Sequence, residues 1–278
     1  MAFRASRLAP LLLASLAGAG CGAGVVARDA GNAPPDVALF DVPPLTDGNV
    51  AGYALSFDGI NDYATSGNAG FPAASAPQTI SLWVNYVATT ATQDFIVLRL
   101  DLDSGVQIGI RSGTITVWRT FSGRTLVAAP IAPAAGEWHH VAYTFDRTTH
   151  VLYVDGAMAA SSTATGDERT PNQVWLGTVD GSAELYSGLM DEVRVWSIVR
   201  SAADIQKDML HRDPGPEPGL MAYWTFDDSQ NGGRCDDMSK APTDPIRNDV
   251  TLGDGIAERM PSRVLSDAPV GAVDAPGG

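Results

Sequence analysis

The sequence predicts an all-β fold, a two-sheet jelly-roll sandwich, with one short helix near 201–211. Three observations predict it. Many short segments alternate apolar and polar residues with a period of two. Gly, Asp and Asn cluster at their ends, as hairpin turns require. Only one stretch repeats its apolar residues at helical spacing.

Tyr53–Phe57, Thr79–Val87, Phe95–Leu100, Gly105–Ile110 and Thr114–Thr120 alternate in this way. His139–Phe145 and Val151–Val154 flank the polar run Asp146–His150, which reads as a hairpin. Asp155-Gly156 then turns the chain into Ala157–Ser161. Gln173–Leu176, Glu184–Trp196 and Leu220–Phe226 complete the expected strands. In the helix, Ser201 caps with Asp204 at the third position. Ile205, Met209 and Leu210 form its apolar stripe, and Pro214 and Pro216 prevent continuation. A lone amphipathic helix is expected to plug an edge or an end of the sheets.

The ends differ from the middle. Residues 1–20 place Arg4 and Arg7 before the apolar run Leu8–Leu16 and then small residues, the layout of an export signal. Cys21 follows directly, and the arrangement resembles a bacterial lipoprotein signal, with Gly18 where an aliphatic residue is usual. That resemblance implies lipidation at Cys21. Lipidation would leave Cys235, the only other cysteine, without an intramolecular partner, so the domain is expected to fold without a disulfide. Residues 21–49 are rich in Ala, Pro, Gly and Asp and read as a disordered tether. The domain is expected over 50–265, with a disordered tail over 266–278.

A formal charge of −14, with lysine only at Lys207 and Lys240, excludes nucleic acid and argues against anionic glycans. It suits a calcium-rich exterior. Glycan cleavage on such a sandwich needs paired carboxylates on one strand face. The nearest residues, Glu184, Asp191 and Glu192, do not supply them, because the last two are expected on opposite faces. Neither a nucleophile elbow nor a phosphate loop is present, so no catalysis is inferred.

Several motifs then fall in order. They are Ala54-Leu-Ser-Phe-Asp-Gly-Ile-Asn-Asp-Tyr63, Thr79-Ile-Ser-Leu-Trp-Val84, Trp138-His-His-Val-Ala-Tyr-Thr-Phe-Asp146 and Leu152-Tyr-Val-Asp-Gly156. Gly188-Leu-Met-Asp-Glu-Val-Arg-Val-Trp196 and Ala222-Tyr-Trp-Thr-Phe226 follow. The set resembles the laminin-G-like, concanavalin A-like lectin-type domains of bacterial surface proteins, over about residues 51–260. That resemblance implies a binding or adhesion module and makes Trp83, Trp138, Trp196, Trp224 and the His139–His140 pair structural.

Alternation puts Leu189, Asp191, Val193 and Val195 on one face, so Asp191 is expected on the core side, where a carboxylate needs compensation. The resemblance brings the first strand near this one, so Asp58, Asn61, Asp62 and Asp191 are the candidate ligands of a structural Ca²⁺. The alternatives are turn hydrogen bonds at Asp58 and a backbone anchor or an arginine at Asp191. Asp101 and Asp103 share a face near a turn and are candidates for a second metal or sugar-hydroxyl site, against a solvated loop. Trp118, Trp175 and Tyr186 fall outside the family-like motifs and are the candidate sugar-facing aromatics, against filling of the sandwich core or rim.

The expected function is that of an exported, non-enzymatic module recognising a neutral glycan or glycoconjugate at the cell surface. The alternative is a structural or adhesive envelope protein that binds extracellular proteins without a sugar site. Membrane contact is expected through the lipid anchor only, at the outer membrane or cell surface. Secretion or a periplasmic location is the alternative.

Overall fold

The computed structural model describes residues 52–67, 71–101, 104–120, 122–163, 170–212, 217–227, 233–239, 248–253 and 260–270. The export signal, the tether, Cys21 and Asp103 lie outside the described residues.

Sixteen strands and one helix are present among them. The first sheet contains β1 (Tyr53–Asp58), β3 (Gln78–Tyr86), β8 (His139–Phe145), β9 (His150–Val154), β10 (Ala157–Ser162), β12 (Ser187–Trp196), β13 (Leu220–Trp224) and β16 (Ser262–Leu265). Its order is β10-β9-β8-β3-β12-β1-β16, with β13 beside the second half of β12. The second sheet contains β2 (Ala64–Ser66), β4 (Gln93–Asp101), β5 (Ser104–Arg111), β6 (Thr114–Arg119), β7 (Thr125–Ala128), β11 (Gln173–Leu176), β14 (Arg234–Cys235) and β15 (Val250–Leu252). Its order is β14-β15-β2-β11-β4-β5-β6-β7. Every pairing is antiparallel.

Period two explains the core. Ile80, Leu82 and Val84 of β3 face Ile96, Leu98, Ile108 and Val117 of the second sheet in one buried cluster, which also holds Trp224 and Phe226. The sequence expected all the long strands. The short β2, β7, β14, β15 and β16 were missed, because two to four residues carry too little alternation to read. Asp155 and Gly156 both adopt positive φ, 52° and 73°, as a tight hairpin turn demands. The Asp155 carboxylate accepts from the His140 N–H and contacts His139 Nδ1, each at 2.9 Å. His139 therefore locks a turn, as the structural reading of the pair implied.

Helix α1 (Ala202–Leu210) starts at Ser201 with a complete capping box to Asp204. It lies across the outer face of the first sheet, against β3 and β12, where an edge or an end of the sheets was expected. Trp83 Nε1 donates to Met209 O at 3.1 Å, and Arg194 donates to Asp208 O and His211 O at 3.1 and 2.7 Å. Trp196, Leu220 and Tyr223 form a small apolar cluster on this side.

Two expectations about the ends are corrected. Cys235 is buried and disulfide-bonded. The expectation that the domain folds without a disulfide is thereby corrected. Ser266, assigned to the tail, is 6% exposed and donates to Asp191 Oδ2 at 2.5 Å. A buried carboxylate needs that hydroxyl, which draws the chain beyond β16 into the domain.

Candidate functional site

Asp191 is fully buried but does not face the sandwich core. On β12, Asp191 pairs with Trp83 and Arg194 with Ser81, so Glu192 and Val193 together oppose Leu82. This is a β-bulge, and Glu192 takes φ 54° to make it. One extra residue reverses the alternation. Val193 and Val195 keep the core, and Asp191 turns to the outer face beneath the chain around Arg212 and Ser266.

Asp191 Oδ1 accepts from the Glu192 N–H at 2.8 Å, and Arg212 Nη2 lies 3.4 Å from Oδ2. Glu192 accepts from Arg194 Nη2 at 2.6 Å and from the Tyr223 hydroxyl at 2.5 Å. Burial, then mutual repulsion, pushes the Asp191 carboxyl well above its ordinary range. Burial raises Glu192 as well, with Arg194 opposing the shift. These groups anchor the bulge and the helix.

The proposed convergence of Asp58 and Asp191 does not occur. Asp58 lies opposite Ser187, four residues from Asp191 along β12, which is about 13 Å at strand rise. Asp58 Oδ1 accepts from the N–H groups of Ile60 and Asn61 at 2.8 and 3.3 Å. Its own N–H donates to Asp62 Oδ2 at 2.9 Å. Among the described residues, no group of three or more acidic, His or Cys side chains is placed to hold a metal.

The aromatic candidates separate by burial. Tyr186 is fully buried between Phe57 and Phe95, with its hydroxyl donating to Leu189 O at 2.7 Å. Trp118 points away from the core, but the Arg111 guanidinium lies 5.5 Å over its ring and Arg111 Nη1 is bonded to Gly123 O. That latch folds the turn between β6 and β7 toward the indole, which is only 2% exposed. Neither residue can serve as a stacking surface. Trp175 remains half-buried. Asp101 ends β4 with its side chain outside the described residues.

Trp175 belongs to a row crossing the second sheet, Thr65, Trp175, Val97, Gln107, Trp118, Thr125, each opposite the next. The residues beside them, Ala64, Leu176, Ile96, Ile108 and Val117, are in the core, so the row faces outward. Arg99 lies 4.8 Å over the Trp175 ring, and Tyr63 packs against it at 5.4 Å.

Within the row, Gln107 Nε2 donates to Asp94 Oδ2 at 3.0 Å and to Glu184 Oε2 at 2.9 Å. Asp94 reaches this face because β4 bulges at Phe95, opposite Gly109. A Cβ at Gly109 would stand 1.9 Å from Gln93 O, so only glycine allows this approach. Glu184 comes from the loop between β11 and β12 and holds φ 54°. The loop is tied down by Asp94 N–H to Glu184 O at 2.8 Å and by the Asp180 carboxylate capping Ser182 and Ala183. Burial, reinforced by the Glu184 charge, drives the Asp94 carboxyl well above its usual range. A buried carboxyl with a raised pKa outside the core marks a functional candidate. Sequence reading missed Asp94, Arg99, Gln107 and Asp180, and dismissed Glu184. Residues 77 positions apart meet here, and no local spacing signals that.

A two-sheet sandwich with one aromatic among hydrogen-bonding side chains on an outer sheet face defines a lectin-like module. The chain belongs to the concanavalin A-like lectin/glucanases superfamily, whose family pattern matches residues 58–206. No curated protein matches it in sequence. Among solved structures it is similar to a Bacteroides ovatus protein provisionally described as carbohydrate binding, with 22% identity and TM-score 0.60. That match covers 79% of this chain but 61% of that protein's length. The fourth domain of an extracellular arabinanase from Geobacillus stearothermophilus, in complex with arabinotriose, matches at 18% identity and TM-score 0.48. It covers 58% of this chain and 82% of that one. A pentraxin from Limulus polyphemus matches at 15% identity and TM-score 0.46, covering 56% and 81%.

Proposed function

We propose that the domain binds a glycan on the outer face of its second sheet, without cleaving it. The observation that carries this is Trp175, half-buried beside Arg99 and Tyr63 on the outward row, two strands from Gln107. Sugars present apolar C–H faces and rings of hydroxyls, and an indole edge beside fixed polar groups matches both. The provisional description of the Bacteroides ovatus protein supports the same reading. Asp94 and Glu184 hold one amide between them as a single fixed unit, and this supports binding without catalysis.

A glycan-array screen of the purified chain tests this, followed by calorimetry on the hits with Trp175→Ala. Binding that falls at least tenfold in the variant, with unchanged circular dichroism, supports the reading. Binding untouched by the substitution would remove Trp175 from the site, and release of reducing sugar from the hits would show an enzyme.

A further inference from the structure

The loop that walls Trp175 is held by a pair of groups whose charge changes with pH. We propose that Asp94 and Glu184 share one proton as a latch on the loop between β11 and β12, which keeps the Trp175 face assembled while the proton is held. The latch rests on the glycan reading above and adds its regulation by pH.

Residues 177–186 form this loop, and it packs on the candidate platform. A Cβ at Gly181 would stand 3.5 Å from Trp175 Cζ3 and 3.4 Å from Tyr63 Cε1, so the loop backbone meets both rings. Glu184 ties the loop to the sheet. The Asp94 N–H donates to Glu184 O at 2.8 Å, and Gln107 Nε2 donates to Glu184 Oε2 at 2.9 Å. Glu184 also holds φ 54°, a left-handed conformation that persists only where surrounding contacts impose it. Weakening those contacts lets the loop relax.

Asp94 Oδ2 and Glu184 Oε2 accept from the same amide nitrogen, at 3.0 and 2.9 Å, so they stand no more than about 6 Å apart. Asp94 is 0% exposed, and neither carboxyl makes an ion pair among the described residues. Two charges this close, one of them out of water, oppose each other, and one proton relieves the pair. Asp94 Oδ1 has no hydrogen-bond partner among the described residues, so a proton there breaks no contact. Burial first, then the Glu184 charge, holds the Asp94 carboxyl well above its usual range. Asp180 on the same loop adds to the repulsion, and the Gln107 bond opposes it. Of the cations on this face, Arg99 acts on Asp180 and lies over Trp175, and Arg111 lies over Trp118. A carboxyl raised in this way stabilises the fold at low pH, and its contribution is lost as pH rises through the folded-state value. Acid therefore closes the latch and alkali opens it.

Hydrogen-exchange mass spectrometry of the full chain tests the latch without any glycan, comparing the parent with Asp94→Asn and with Glu184→Gln at matched pH from 5 to 9. Each variant removes one charge and keeps the shape, and matched pH cancels the intrinsic exchange rate. Amides of residues 178–186 are expected to exchange severalfold faster in the parent than in either variant at pH 9 and equally at pH 5, with β8 unchanged. Calorimetry at both pH values, with the saccharides that bind on the array, is expected to show affinity falling severalfold in the parent and holding in Asp94→Asn. Equal loop exchange in all three proteins across the range overturns the latch and leaves glycan binding standing. A loop that loosens while affinity stays constant overturns its regulatory role. Binding to no saccharide on the array overturns the glycan reading, and the regulation with it, whatever the exchange shows.

Discussion

His140 is the sharpest handle on the fold's stability. It sits in β8 opposite Trp83, fully buried, with its ring 5.4 Å from the indole. Neither ring nitrogen has a hydrogen-bond partner among the described residues. Burial, reinforced by the positive charge of Arg194, lowers its pKa from 6.5 to about 3. In the unfolded chain the ring takes a proton near pH 6.5, while the folded state refuses it until about pH 3. The neutral ring's contribution is therefore whole above pH 6.5 and drains away as pH falls through this window. Between pH 7 and pH 4 the loss is about 3 kcal/mol, a large fraction of a typical domain stability of about 5–15 kcal/mol. His140→Phe keeps an aromatic ring and removes both nitrogens. Urea melts of both proteins at pH 7 and pH 4 isolate the effect, because every other titrating group cancels in the difference. The parent is expected to lose about 3 kcal/mol more than the variant over that interval. At pH 7 the variant is expected to be no less stable, since two unsatisfied polar atoms are gone. Equal pH dependence in the two proteins would refute the argument. The raised carboxyls of Asp94, Asp191 and Glu192 act with the opposite sign, their contribution being lost as pH rises, so the comparison must use the variant as reference.

Other outcomes follow from the same contacts. Arg194→Met strands Glu192 under the helix and is expected to cost about 3–5 kcal/mol in a urea melt, whereas Arg194→Met with Glu192→Leu recovers most of it. A double variant as unstable as the single one would count against the ion pair as the cause. The turn at Asp58 holds itself by hydrogen bonds, so Asp58→Ala is expected to lower Tm equally in Ca²⁺ and in EDTA. A Tm that rises with Ca²⁺ only in the parent would put a metal there. The intact mass of the chain, unreduced and reduced, is expected to show two hydrogens gained on reduction, from the disulfide at Cys235. No gain of mass on reduction would count against a disulfide at Cys235.

Period two was enough to read the architecture. The long strands, the Asp155-Gly156 turn and the Ser201 cap depend on side-chain alternation and backbone freedom within a few residues, which a linear sequence displays. Ordered motifs then pointed to the family that the match over residues 58–206 establishes. The face of Asp191 was misread for an instructive reason. Alternation holds until a residue is inserted, and the bulge at Glu192 is made by pairing with β3, about a hundred positions away.

The candidate site was still less legible. Trp175 could be singled out, but Trp118 and Tyr186 were indistinguishable from it as letters. Burial separates them, and burial depends on Arg111 reaching Gly123 and on Phe57 and Phe95 closing around a ring. Asp94, Gln107 and Glu184 come from three segments, and only a register between strands brings one amide to two carboxylates. Local composition and periodicity are properties of the chain alone, and they settled the class of fold. Which polar groups share a face, and which are covered, depends on long-range pairing, and that the folded sandwich decided.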